Sequence, residues 1–260
     1  MDTRGAVAVV TGGGNGIGRA ISNALVEHGA YVVVSDIDAG AAAQTAERLG
    51  PNAVSISGDA STSEHVDAAV QLAERSFGAV DIYFANAGIG RGNGLDVDEV
   101  WAQALDVNLM AHVRAAQRLI PEWQARGRGY FFSTASAAGL LAQLGNAPYT
   151  VTKHAAVAFA EWLSITYGDD GVRVSCLCPM GVKTALLEGP DNPPLMRQAV
   201  ESAGDVLTPE AVAALVLEAV AYEQFLVLPH PEVARMMQGK AADRDRWLDG
   251  MRRYRSSLAG

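Results

Sequence analysis

TGGGNGIG, residues 11–18, follows the apolar run AVAVV (6–10) without a break and opens a segment with helical character. Glycine in such a place permits a tight turn, lets the backbone approach a ligand and lets the helix pack close to the strand. The start of the helix offers unpaired N–H groups and the positive end of a dipole, a setting suited to a pyrophosphate. Glycine-rich turns are common in loops. The placement between strand and helix is what makes this one a dinucleotide fingerprint.

Working outward, apolar runs alternate with helical segments along the whole chain. AVAVV (6–10), YVVVS (31–35), AVSIS (53–57), VDIYFA (80–85), GYFFST (129–134), VRVSCLC (172–178) and FLVL (225–228) read as strands. They are short and continuously apolar, as in a parallel sheet covered on both faces. Helical segments are expected at 17–28, 39–49, 62–77, 99–126, 149–167 and 208–222. This alternation implies right-handed crossovers. The expected fold class is therefore α/β, a doubly wound parallel sheet (Rossmann-like) of about seven strands with helices on both faces. No internal repeat or linker divides the chain, so residues 1–260 are read as a single dinucleotide-binding domain. EGPDNPPL (188–195), rich in Pro and Gly, is expected as a surface loop over a site.

Of the 260 residues, 49% are hydrophobic, 19% are charged and the net charge is −9. That balance suits a soluble protein and disfavours nucleic acid as a partner. No apolar run approaches the ~18 residues of a membrane span, and MDTRGAVAVV lacks the pattern of a signal peptide,; a cytoplasmic protein without a membrane partner is expected. Cys176 and Cys178 are read as small core residues of one strand face, poorly placed for a disulfide and without the His neighbours of a zinc site,. No metal is expected. The five histidines show no ligand spacing and are read mostly as surface or loop residues; Met236 and Met237 read as packing.

Two local features carry chemistry. Asp36 ends the second strand, eighteen residues after Gly18. An acid there accepts hydrogen bonds from the adenosine ribose hydroxyls and repels a 2′-phosphate, which points to NAD. Its bland alternative is a helix N-cap, a role Asp38 fills equally well. In NAPYTVTKHA (146–155), Tyr149 and Lys153 stand four apart, on one helix face,. A phenol with a reference pKa of about 10 is a poor base at neutral pH. A positive charge one turn away favours the phenolate. The chain uses only three lysines against seventeen arginines, so a lysine inside an Ala-rich helix is not its default cation.

The set of motifs resembles the short-chain dehydrogenase/reductase family, over the chain up to about residue 228. TGxxxGxG appears as Thr11, Gly12, Gly16 and Gly18; GDAS holds Asp59; ANAG (85–88) stands for NNAG, with Ala85 in place of the first Asn; DVNLM holds Asn108; STASAAG holds Ser136, thirteen residues before Tyr149; and PMGVKT (179–184) stands for PGxVxT, with Met180 in place of Gly. The resemblance implies Tyr149 as acid/base, Lys153 tuning it and holding the ribose, Ser136 bonding the substrate oxygen and Asn108 anchoring a water. It implies a cofactor site of Gly12, Asn15, Gly16, Ile17, Gly18, Asp36, Ile37, Asp59, Ala60, Asn86, Ala87, Gly88, Tyr149, Lys153, Pro179, Val182 and Thr184. The substrate pocket it implies holds Ser136, Leu140, Leu144, Tyr149, Met180 and Leu186, with Leu141 and Leu187 nearby. So apolar a set predicts a cyclic or aromatic secondary alcohol or its ketone, interconverted by an NAD-dependent oxidoreductase. The alternative is a non-catalytic dinucleotide sensor or scaffold on the same fold, disfavoured by the intact Ser136, Tyr149 and Lys153. A sugar-nucleotide epimerase also uses YxxxK, in longer chains with a different glycine spacing.

Two further expectations concern surfaces. Trp101, Leu105, Met110, Val113 and Leu119, with Val157, Phe159, Trp162 and Ile165, put apolar residues around much of two helices. A surface helix needs only one apolar stripe. A homodimer, or a homotetramer containing it, is expected. Residues 230–260 form a C-terminal helical extension in which Val233, Met237, Ala241, Trp247, Leu248, Met251 and Tyr254 recur at helical spacing, as in one amphipathic helix packed on the domain or its partner.

Overall fold

The computed structural model describes residues 1–189 and 194–258. Seven strands, β1 (Val7–Thr11), β2 (Tyr31–Asp36), β3 (Ala53–Ser57), β4 (Ile82–Ala85), β5 (Gly129–Thr134), β6 (Val172–Leu177) and β7 (Leu226–Val227), form one sheet in the order β3-β2-β1-β4-β5-β6-β7. Every pairing is parallel, with Val9 opposite Val33 on one side and Tyr83 on the other. The order reverses between β1 and β4, and the crevice above the carboxyl ends of those strands is where such sheets bind ligands.

The helices are α1 (Gly16–Glu27), α2 (Ala39–Leu49), α3 (Ser63–Ser76), α4 (Asp98–Leu105), α5 (Ala111–Arg126), α6 (Ala147–Tyr167), α7 (Ala185–Glu188), α8 (Pro194–Ala203), α9 (Pro209–Tyr222), α10 (Glu232–Ala242) and α11 (Arg244–Leu258). Two hydrophobic layers flank the sheet. On one face Ile21 and Leu25 of α1, Ala42 of α2 and Val212, Val216 and Val220 of α9 pack on Val10, Val34 and Phe132. On the other, Val66 and Val70 of α3, Leu119 and Trp123 of α5, and Ala156 and Leu163 of α6 pack on Val9, Tyr83 and Phe131. Alternate residues of a strand face opposite layers, so a strand covered on both sides must be apolar throughout. That is why the continuous apolar runs read correctly as strands.

Four local expectations need correction. The helix expected at 99–126 is interrupted by a π turn at Asp106–Met110, which turns Asn108 fully inward; π turns recur at functional sites. β4 starts at Ile82, not 80, because at Asp81 a side-chain carboxylate meets the Val7 N–H (3.1 Å) and Arg128 (2.8 Å). The C-terminal extension is two helices. Asp243 leaves the helical region (φ −150°, ψ 97°), and its carboxylate accepts from the Arg246 N–H at 2.9 Å, starting α11; an Asp that caps a new helix stops the old one. Finally, the surface-loop reading of 188–195 falls partly on residues 190–193, outside the described residues, while from Pro194 onward the chain is helical. The spacing of Leu195, Met196, Ala199 and Val200 is a helical signal,.

His65, His112 and His230 are buried, against the surface reading of most histidines. Each finds a partner remote in sequence: Ser35 for His65 (2.8 Å), Ser133 for His112 (3.0 Å) and three backbone groups for His230. Cys176 and Cys178 are free, fully buried and 3.8 Å apart at sulfur, as the strand reading expects. Among the described residues no helix is long and apolar enough to cross a membrane.

Candidate active site

A cleft of about 670 Å3 lies along the carboxyl ends of the strands, lined from the glycine turn at one end to α7 and α8 at the other. Gly12 (φ 63°) and Gly16 (φ 50°) shape the turn in left-handed conformations that glycine adopts without strain,. Gly18 does not line the cleft. It lets α1 approach β1, since a Cβ there would lie 2.1 Å from the Gly12 carbonyl oxygen. Asp36 accepts from the Gly14 N–H (2.9 Å) and the Asp38 N–H (3.0 Å). The N-cap of α2 is Asp38, which accepts from Gly40 and Ala41. Asp36 is thus free of the capping role, faces the cleft beside Ile37 and braces the glycine turn.

The floor is stitched at the switch point. The Thr11 hydroxyl accepts from the N–H groups of Asn86 and Ala87, both 3.0 Å, and the Asn86 side chain donates to the Thr11 carbonyl (2.9 Å) and accepts from Thr134 (3.2 Å). Beside them Gly88 leaves space where a Cβ would meet Asn108 Oδ1 and Lys153 Nζ, each at 3.2 Å. Asp59, Ala60, Ala87, Val182 and Thr184 also line the cleft with Asn15, Ile17 and Pro179. These residues, with Gly12, Gly16, Asp36 and Ile37, could hold an extended nucleotide.

Ser136, Tyr149 and Lys153 converge in the middle. Asn146 caps α6 by accepting from the Tyr149 N–H (2.9 Å), so the first turn of the helix fixes the phenol. Tyr149 and Lys153 follow on the buried side, only 7% and 3% exposed, with Nζ 5.8 Å from the centre of the phenol ring. Lys153 donates to the Thr134 carbonyl at 3.0 Å. Ser136 follows the end of β5; its oxygen accepts from the Ala138 N–H (3.1 Å), its hydroxyl donates to the Pro179 carbonyl (3.4 Å), and it lies close enough to the Tyr149 phenol to favour the phenolate. Burial pushes the phenol's pKa up, and Ser136 opposes that rise. Burial also pulls the Lys153 ammonium down to about 8. In the chain alone the phenol is therefore raised rather than lowered, because desolvation by burial dominates,.

Asn108 lies under the cleft rather than on its wall. Its Oδ1 accepts from the Ile89 N–H (2.9 Å), and its amide donates to the Ile89 carbonyl (3.0 Å) and Thr152 (3.1 Å). His112, one turn further on, is pulled down to about 3, first by burial and then by the charge of Lys153.

On the remaining side the wall is apolar. Met180, Leu186, Leu187, Met196 and Val200 line it together with Gln143. Leu140 and Leu144, expected in the pocket, do not line it; Leu140 turns into the core layer under α6. The loop that carries them contributes Gln143 instead, because Gln143 is held against α6 by the Thr150 hydroxyl (2.9 Å). Met196 and Val200 escape the sequence reading because they stand on α8, whose own apolar spacing is the signal that could have found them.

The family model described as short chain dehydrogenase matches residues 6–192. The chain is 33% identical over 218 residues to (+)-borneol dehydrogenase 1 of Salvia officinalis, covering 80% of this chain and 84% of that protein. It is 32% identical over 216 residues to cyclohexanol dehydrogenase of Acinetobacter sp. (strain SE19), covering 81% and 85%. A crystal structure of a short chain dehydrogenase/reductase from Burkholderia phymatum in complex with NAD superimposes with a TM-score of 0.86 at 29% identity, covering 94% of this chain and 96% of that one.

Proposed function

This chain belongs to the short chain dehydrogenase family of oxidoreductases, and on that premise we propose that it interconverts an apolar, cyclic or aromatic secondary alcohol and its ketone with NAD, using Tyr149 as the acid/base. The observation that carries this reading is the buried Ser136–Tyr149–Lys153 group, set between a polar nucleotide-shaped half of the cleft and an apolar half. A sensor has no need of such a group.

The donor set fits a dinucleotide. Asp36 stands at one end as a ribose acceptor, the start of α1 lies at the middle, and the space left by Gly88 opens beside Lys153. When bound, the nicotinamide supplies the hydride acceptor or donor. In alcohol oxidation Ser136 Oγ holds the substrate oxygen, and Tyr149 Oη takes the hydroxyl proton as the C–H bond breaks. Lys153 stabilises the phenolate with a charge that burial leaves unscreened. Asn108 positions rather than reacts. It holds the Ile89 backbone and the Thr152 hydroxyl in place, next to Tyr149 and Lys153. In reduction the proton returns from Tyr149 to the alkoxide.

The apolar wall of Met180, Leu186, Leu187, Met196 and Val200 suits a hydrocarbon ring, and Gln143 is the polar exception. Borneol and cyclohexanol, named in two relatives, are of this kind. The test is a panel of alcohols followed by absorbance of reduced nicotinamide. We expect kcat/KM for alicyclic alcohols to exceed that for polyhydroxylated ones of similar size by at least about 10-fold, one buried methylene being worth roughly 1–3 kcal/mol. Turnover of sugars or charged alcohols alone would refute the substrate class.

The same premise supports a two-fold dimer through α4, α5 and α6. Leu105 is exposed on α4, and Val151, Trp162 and Ile165 are exposed on α6, Ile165 by 84%. Light scattering at micromolar concentration is expected to give twice the chain mass of 27.2 kDa, or four times it; a monomer would count against the dimer.

A further inference from the structure

The segment beyond β7, residues 230–258, touches the substrate side of the cleft at three separate points. At the first, His230 is 2% exposed and bonds three backbone groups. Its Nδ1 accepts from the Met180 N–H (3.1 Å), and its Nε2 lies 3.1 Å from the carbonyls of both Gly181 and Asp205. Donation from Met180 fixes the tautomer, with the proton on Nε2. One side chain thereby ties the wall segment 180–181 to the end of α8. Nearby, the Glu232 carboxylate and the end of Met180 crowd Gly204, where a Cβ would lie 2.3 and 2.8 Å from them.

At the second point, Lys240 of α10 donates to the carbonyls of Leu140 (2.8 Å) and Leu141 (2.7 Å) and lies 3.3 Å from His154 Nε2. His154 Nδ1 is bonded to the Thr150 carbonyl at 2.8 Å, which leaves Nε2 as the acceptor,. The ammonium's three protons thus meet three acceptors, and Trp247 of α11 covers it with its ring centre 5.1 Å away. Leu140 and Leu141 follow Ser136 in the loop that supplies Gln143 to the cleft. At the third point, the Tyr254 hydroxyl of α11 donates to the Ala199 carbonyl (2.8 Å) and lies 2.6 Å from Ser202 Oγ. Ala199 and Ser202 belong to α8, which presents Met196 and Val200 to the cleft. Neither Lys240 nor Tyr254 lines the cleft.

We propose that residues 230–258 form an internal strap across the substrate side of the cleft, in which Lys240 and Tyr254 are positioning residues that set substrate selectivity without touching the substrate. Lys240 holds the loop on one side of the pocket, and Tyr254 holds α8 on the other. The strap itself rests on the geometry above. Its effect on selectivity rests on the functional reading of the apolar wall.

The test uses the full chain with Lys240→Met, Tyr254→Phe and the double substitution. Tyr254→Phe keeps the ring and removes only the hydroxyl, so packing of α11 is preserved. Hydrogen exchange reads the strap directly. Tyr254→Phe is expected to speed exchange of the α8 amides 196–203 by about five-fold, and Lys240→Met to do the same for amides 140–144, the loss typical of one net hydrogen bond. Amides of the glycine turn, 12–18, should not change. Kinetics then reads selectivity. KM for a bulky alicyclic alcohol is expected to rise about five-fold in each variant, with kcat and NAD affinity within about two-fold of the parent, because each substitution frees a segment of the pocket wall alone. Unchanged exchange in both segments overturns the strap. Faster exchange with an unchanged KM overturns its role in selectivity. If the intact protein oxidises no alcohol at all, the functional reading falls, and the exchange experiment still decides the strap.

Discussion

Tyr149→Phe is expected to lower kcat for the true alcohol by about 10²–10⁴-fold or more, the range for loss of a general acid/base. The ring occupies the same volume, and Asn146 still caps α6 through the backbone N–H of residue 149, so the fold and the cleft survive the change. What disappears is the oxygen proposed to exchange a proton with the substrate. NAD affinity should change little, which separates lost chemistry from lost binding. Burial raises the phenol in the chain alone, with Ser136 opposing it. Alcohol oxidation, which needs the phenolate, is therefore expected to climb with pH across the neutral range in the parent enzyme. That climb should flatten in Tyr149→Phe. Near-normal turnover of the variant on its best substrate would rule out the acid/base assignment.

The second large effect is cofactor choice. We expect kcat/KM with NAD to exceed that with NADP by at least ~100-fold, roughly 2.7 kcal/mol. Asp36 faces the cleft at the end of β2 with the exposed Ile37 beside it. A 2′-phosphate there would bring close to two negative charges against a carboxylate. A cation could offset this, yet among the described residues lining the cleft the only one is Lys153, beside Tyr149. Asp36→Ala should narrow the gap by relieving NADP and weakening NAD. The structure adds a second cause for the weakening. Asp36 accepts from the Gly14 N–H, so its removal also loosens the glycine turn proposed to approach the pyrophosphate. Asp36→Asn keeps an acceptor while removing the charge, and should relieve NADP with less loss of NAD. Equal efficiencies with the two cofactors in the parent enzyme would sink the assignment of Asp36.

Much of the site is legible because its members sit at fixed local offsets. The glycine turn lies between a strand and a helix, Asp36 ends the next strand, and Tyr149 and Lys153 are one turn apart. Each is defined by a short window whose period or turn chemistry is local. The structure brings all of them to one cleft, except that Gly18 serves packing and Asn108 lies beneath. Leu140 and Leu144, expected in the pocket from their place after Ser136, miss the cleft. Their loop is held by Thr150, just after it in the first turn of α6, and by Lys240, a hundred residues on from Leu140.

The order of strands and helices along the chain, and with it the parallel doubly wound class of sheet, follows from the sequence alone. Continuous apolar runs can be buried only when both faces are covered, and that constraint is written into each run separately. Which residues wall the apolar side of the cleft, where the π turn points Asn108, and where the C-terminal helices lie are settled only by the packing of the whole chain. Those outcomes depend on contacts between residues far apart in the chain, such as Tyr254 with Ala199 or His230 with Met180. A side chain's period says which face of a helix is apolar; what that face meets is fixed by packing the whole chain.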